Sequence, residues 1–136
     1  MFGKKAQPPI KSLIAQGTRI EGDVHFAEGM RIDGEVVGDI RAGSEQPSIL
    51  VISELASVTG QIHADHVIIN GTVKGPVEAR QLLELQSKAK IEGEVQYAAV
   101  MMEHGATILG QLRPMVAGAD AAEEGKPSIR LAARSA

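Results

Sequence analysis

Few side chains in this sequence are equipped for chemistry. There are four histidines, His25, His63, His66 and His104, and no cysteine. Converging imidazoles can hold a catalytic zinc ion, and a three-histidine site shared between subunits is one such arrangement. His63 and His66 stand three residues apart, which on a strand puts them on opposite faces, a poor pair for one metal. His104 lies in a His-Gly turn. No serine–histidine–acid set, phosphate-cradling glycine loop or carboxylate pair stands out. The lack of cysteine excludes disulfide staples, zinc fingers and thiol catalysis. The residues therefore read as a non-enzyme with no catalytic, cofactor-binding or metal residues.

Something other than a reaction must then account for the chain. Of its 136 residues 43% are hydrophobic, yet only 2% are aromatic. Aromatics fill most small cores. Here valine, isoleucine, leucine, methionine and alanine must do so, which favours a thin, layered interior. Residues 1–12 carry Lys4, Lys5 and Lys11 and no acid, whereas residues 13–115 carry 8 basic and 14 acidic residues. An acidic body argues against nucleic acid as a partner. Residues 1–12 lack the apolar stretch of a secretory signal, and no apolar run reaches the length of a spanning helix.

The dominant signal is internal repetition. The pattern apolar-x-Gly-x-apolar occurs six times, from Ile20-Glu21-Gly22-Asp23-Val24 to Ile108-Leu109-Gly110-Gln111-Leu112. The central glycines are Gly22, Gly38, Gly60, Gly75, Gly93 and Gly110, spaced 16, 22, 15, 18 and 17 residues apart. The long interval contains the turn-rich segment 42–48 and reads as a loop insertion. Ahead of each later glycine lies a second apolar pair: Met30/Ile32, Leu50/Ile52, Val67/Ile69, Leu83/Leu85 and Val100/Met102. Each period thus holds at least two short segments that alternate in polarity, the mark of a strand. No Asn-Gly or Asp-Gly turn recurs in every repeat, as a hairpin array would need.

A parallel coil fits. Each period makes one turn of a β-helix, and equivalent residues stack about 4.8 Å apart. The expectation is an all-β chain, a β-solenoid of about six turns, with the glycines at tight corners. Pro76 cannot donate to the ladder and is expected at a corner or a weakened rung. The domain reading is a flexible basic tail over 1–12, the solenoid over 13–115, and a disordered tail over 116–136.

The stacked glycine motifs, the short tails and the Met-Phe-x-Lys start resemble the bactofilins. The resemblance covers residues 13 to about 115, with the N-terminal tail as a second match. It implies a right-handed, roughly triangular parallel β-helix that polymerises end to end into filaments without nucleotide. It implies a bacterial cytoskeletal scaffold at the inner face of the cytoplasmic membrane that positions cell-wall or morphogenesis proteins. One departure stands out: Ile108, Leu109, Leu112 and Met115 occupy the last rung, with no phenylalanine to plug it.

Physics supports the polymer independently. A coil has two open ends with unpaired backbone groups, and such edges pair with other chains unless capped. The first-rung interface candidates are Leu13, Ile14, Ile20, Val24 and Phe26; the last-rung candidates are Ile108, Leu109, Leu112 and Met115. Met1, Phe2, Lys4 and Lys5 suit an anionic membrane surface, with two apolar side chains for the lipid boundary and cations worth about 1 kcal/mol each. The expected partners are further copies of the chain, that membrane surface and cell-wall proteins; the expected location is peripheral, on the cytoplasmic side. The competing reading is a trimeric β-helical acyltransferase or carbonic-anhydrase-like enzyme, kept open by the hexad-like spacing Ile14, Ile20, Phe26, Ile32.

Overall fold

The computed structural model describes residues 10–43 and 47–115. The two tail segments 1–9 and 116–136 lie outside the described residues, and with them Met1, Phe2, Lys4 and Lys5.

Short β-rich stretches broken by glycine wind into a coil with no helix among the described residues. Turn one holds β1 (Ser12–Ile14), β2 (Arg19–Glu21) and β3 (Val24–Phe26). Turn two holds β4 (Gly29–Ile32), β5 (Glu35–Val37) and β6 (Ile40–Ala42). Turn three holds β7 (Ile49–Ile52), β8 (Ser57–Thr59) and the first half of β9 (Ile62–Ile69). Turn four holds the rest of β9, then β10 (Thr72–Lys74) and the first half of β11 (Val77–Leu85). Turn five takes the rest of β11, then β12 (Lys90–Glu92) and β13 (Val95–Tyr97). Turn six closes the coil with β14 (Val100–Met102), β15 (Thr107–Leu109) and β16 (Leu112–Pro114).

Each turn therefore has three faces. Every strand pairs in parallel with its equivalent one turn on. On the second face the register runs Ile20, Val36, Val58, Val73, Ile91, Ile108. These are the residues that open each glycine motif, and their side chains point inward. The residue that closes each motif opens the third face, where Val24, Ile40, Ile62, Val77, Val95 and Leu112 stack. The second apolar pairs line the first face. Like residues thus pile on like residues, and β-branched side chains suit such half-pleated surfaces. Val36, Val58, Ile62, Val67, Val73 and Ile91 are fully buried.

The glycines turn the corner between the second and third faces. Gly60 has φ +147°, and a Cβ built there would stand 2.1 Å from the Gly38 carbonyl oxygen. The repeated glycine is thus required twice over, by its backbone angle and by the carbonyl beneath it. Beside it the side chains of Asp23 and Asp39 extend the ladder: each accepts the backbone N–H one turn above, from Asp39 at 3.1 Å and Gln61 at 3.0 Å. Pro76 stands next in this column, at the corner, and its carbonyl still accepts the Ile62 N–H at 2.9 Å.

The corner between the first and second faces comes in two lengths. Four-residue corners at 15–18, 53–56, 86–89 and 103–106 are each closed by an i to i+3 backbone bond, as in Ala56 N–H to the Ser53 carbonyl at 3.0 Å. Two-residue corners at 33–34 and 70–71 nest against the long ones: a Cβ on Gly71 would lie 2.2 Å from the Ser53 carbonyl oxygen. The unequal glycine spacing comes from this mixture and from a third corner that also varies in length, most of all between β6 and β7.

Candidate functional site

The two ends of the coil are the places where its construction is incomplete. β1, β2 and β3 pair only with turn two, and β14, β15 and β16 only with turn five; among the described residues nothing covers their outer edges. Each outer edge leaves backbone N–H and C=O groups open along three faces.

The predicted first-rung residues divide. Ile14 and Phe26 are buried, Ile20 and Val24 are half-buried against the core, and Leu13 is 58% exposed because it projects outward from the first face. At the other end Ile108 and Leu112 are half-buried against the core and Met115 is half-buried beyond β16. Leu109 is 56% exposed and projects from the flank of the second face. Alternation on each strand sends Leu13 and Leu109 sideways, while the other core-facing side chains form the floor of each open end.

Sequence reasoning missed the one aromatic near the far end. Tyr97 is fully buried in turn five, in register with Ala79 below and Pro114 above. Its hydroxyl has no hydrogen-bond partner among the described residues, and burial pushes the phenol above its ordinary pKa. The only signal was its phase in the glycine motif, two residues after Val95.

Two of the histidines, His63 and His66, are engaged in side-chain contacts. β9 and β11 run around the third corner, and Ala64 and Asp65 are both buried there, which breaks the alternation. The expectation that His63 and His66 face opposite sides of a strand is corrected by this corner: both point outward, on the third and first faces. His63 Nδ1 meets Glu78 Oε1 at 3.1 Å, and Nε2 accepts from Arg80 Nη1 at 2.9 Å. Because guanidinium only donates, the ring proton belongs on Nδ1, and neither nitrogen has a lone pair free for a metal. His66 Nε2 lies 3.2 Å from Glu84 Oε1. Arg80 also donates from Nε to Asp65 Oδ1 at 2.7 Å, and the Asp65 carboxylate accepts from the Ser48 backbone N–H at 2.9 Å. These residues clamp turns three, four and five together at the third corner. Their separations of 17 and 15 residues equal one period, which a repeat-aligned reading would have flagged. Among the described residues no group of three or more histidine, aspartate or glutamate side chains is placed to share a metal ion.

The arrangement offers edges, apolar floors and lateral faces, the chemistry of association. A scan against family models matches residues 12–113 to Bactofilin, described as polymer-forming cytoskeletal. Searches of the curated proteins and of the solved structures returned no match. The match spans all six turns, from β1 through most of β16, and with it this chain belongs to the bactofilin family of polymer-forming cytoskeletal proteins.

Proposed function

We propose that the chain is a nucleotide-independent scaffold rather than an enzyme, joined end to end into filaments on the cytoplasmic face of the membrane, where it positions cell-wall or morphogenesis proteins. The observation that carries this reading is the pair of terminal turns that no described residue covers, each with open strand edges and half-buried aliphatic side chains. Stacking the end of a second coil on either turn would pair those edges and bury Ile20 and Val24, or Ile108 and Leu112. Solenoids that remain single are capped by polar ends or helices, and no helix occurs among the described residues.

Membrane contact is assigned to Met1, Phe2, Lys4 and Lys5. One such tail binds weakly, but a filament presents many, and the contacts multiply. The test is negative-stain electron microscopy of the full chain beside Leu112→Arg. The expected result is filaments in the parent, with or without nucleotide, and their loss in the variant, whose new charge cannot be buried at a junction. Discrete trimers in both would overturn the reading. Vesicle co-sedimentation of a chain lacking residues 1–5 tests the tail; undiminished binding would remove it from the role.

A further inference from the structure

The three lateral faces present different chemistry to solvent. The outward column of the first face reads Leu13, Arg31, Val51, Ile68, Glu84, Met101 along the six turns. The equivalent column of the third face reads His25, Arg41, His63, Glu78, Gln96, Arg113, with no aliphatic residue. Among the described residues five large hydrophobic residues are exposed: Ile10, Leu13, Leu55, Met101 and Leu109. All but Leu109 lie on the first face, on its approach or on the corner that ends it. A soluble rod has no internal reason to concentrate aliphatic side chains on one side.

The order along that column is apolar, cation, apolar, apolar, anion, apolar. Reversed, it is its own complement. A two-fold axis across the face sets Leu13 of one copy against Met101 of another, Arg31 against Glu84 and Val51 against Ile68, and each contact occurs twice. This reciprocity is what an isologous interface demands. Two copies laid parallel and in register would instead oppose Arg31 to Arg31 and Glu84 to Glu84. The Arg31 side chain is 52% exposed and the Glu84 side chain 28% exposed, so both can be reached, although each already has a partner on its own face, Asp33 and His66.

In the inner four turns corner length has the same complementarity, whereas the outermost pair, 15–18 and 103–106, sets two long corners against each other. The antiparallel operation brings the long corner 53–56, with Leu55 exposed at its tip, opposite the short corner 70–71. It brings the long corner 86–89 opposite the short corner 33–34. A groove of about 400 Å³ runs along this edge, lined by Arg31, Asp33, Val51, Leu55 and Asn70 among others.

We propose that the first face docks a second copy of this chain side by side in antiparallel orientation. A single pair of copies is too small to hold. Six turns of strands three to four residues wide offer roughly 350 Å² per copy, whereas a stable association takes about 800 Å² per partner. The pairing therefore rests on the filament reading above: copies already joined end to end add their faces together, and filaments associate where monomers do not.

A charge-swap cycle on the full chain tests this by electron microscopy at fixed salt. Arg31→Glu turns both cross-pairs into Glu–Glu contacts, and Glu84→Arg turns both into Arg–Arg contacts. The double variant restores opposite charges with the signs exchanged, without restoring the Asp33 or His66 contacts. Paired filaments are expected for the parent, single filaments for each single variant, and pairs again for the double variant. Pairs that persist in both single variants, or fail to return in the double, overturn the proposal. A parent that forms only single filaments overturns it as well and leaves end-to-end assembly standing. A parent that forms no filaments sinks both readings together.

Discussion

The middle of the coil and its two ends are made from the same repeat but are not equally finished. In turns three and four Ile52, Val58, Ile62, Ile69 and Val73 have no exposed surface. Their counterparts in the outer turns, Ile20 and Val24 at one end and Met102, Ile108 and Leu112 at the other, remain half-buried. The ends also differ from each other. The first turn keeps Ile14 and Phe26 buried, while in the last turn Ala106 is the one buried hydrophobic residue among those described. A repeat in a solenoid is stabilised by both neighbours, so a terminal turn possesses half the interface of a central one.

The comparison is broken most severely at the glycine corner. Gly60→Ala, in the middle, places a methyl group against a backbone oxygen 2.1 Å away at φ +147°, and should cost more than about 4 kcal/mol or prevent folding. Gly22→Ala, at the end, meets nothing within 4 Å and carries only the strain of φ +132°, on the order of 1–3 kcal/mol. Denaturant unfolding in a Leu112→Arg background, expected not to polymerise, measures both; equal losses would mean that stacking does not set the cost. Next in size is core truncation. Ile62→Ala should lose about 2–5 kcal/mol, and Ile108→Ala about half as much, since its side chain is only partly withdrawn from water. In filaments the Ile108→Ala penalty should rise toward the central value if a second chain covers the last turn.

Smaller effects sharpen the contrast further. Tyr97→Phe removes a buried hydroxyl that no described group satisfies, so melting should be unchanged or raised by up to about 1 kcal/mol. A clear loss would mean that the hydroxyl has a partner. The smallest effect is at the two-residue corner of turn two. The Arg31 side chain, and then Ser53, hold the Asp33 carboxyl below its ordinary pKa of 3.8. Because the folded value is depressed, the stabilisation is present above that ordinary value and is lost as pH falls through the folded one. Asp33→Asn should therefore flatten the acid limb of a stability–pH curve slightly below pH about 4 and leave neutral stability almost unchanged.

Much of this was legible in the residues. The glycine motif located the corner, the inward phase and the number of turns, because a position that tolerates only glycine is written directly in the sequence. The apolar pairs located the first face. The third face was less evident, since Ala42, Ala64 and Ala79 lack the bulk that makes alternation visible. The two corner lengths were hidden inside irregular spacings, since a count between glycines cannot show at which corner the extra residues sit. The Ser48–Asp65–Arg80 clamp was missed because its one-period spacing lies outside the glycine motifs and shows only when the repeats are aligned turn on turn. The complementarity of the first face was unreadable for the same reason: Leu13 to Met101 form a column only once each turn's register is known.

The uniform register has a kinetic consequence. Every strand pairing joins residues separated by one period, between 15 and 22 positions apart. Loop closure depends weakly on length, so each added turn meets nearly the same entropic barrier, and no long-range contact must form first. Folding can start at any two adjoining turns and zip outward, with the terminal turns closing last. In the end-to-end assembly proposed above, docking a neighbouring coil onto an end would repeat that propagation step across a gap in the covalent chain, and elongation of the filament would be folding continued between molecules.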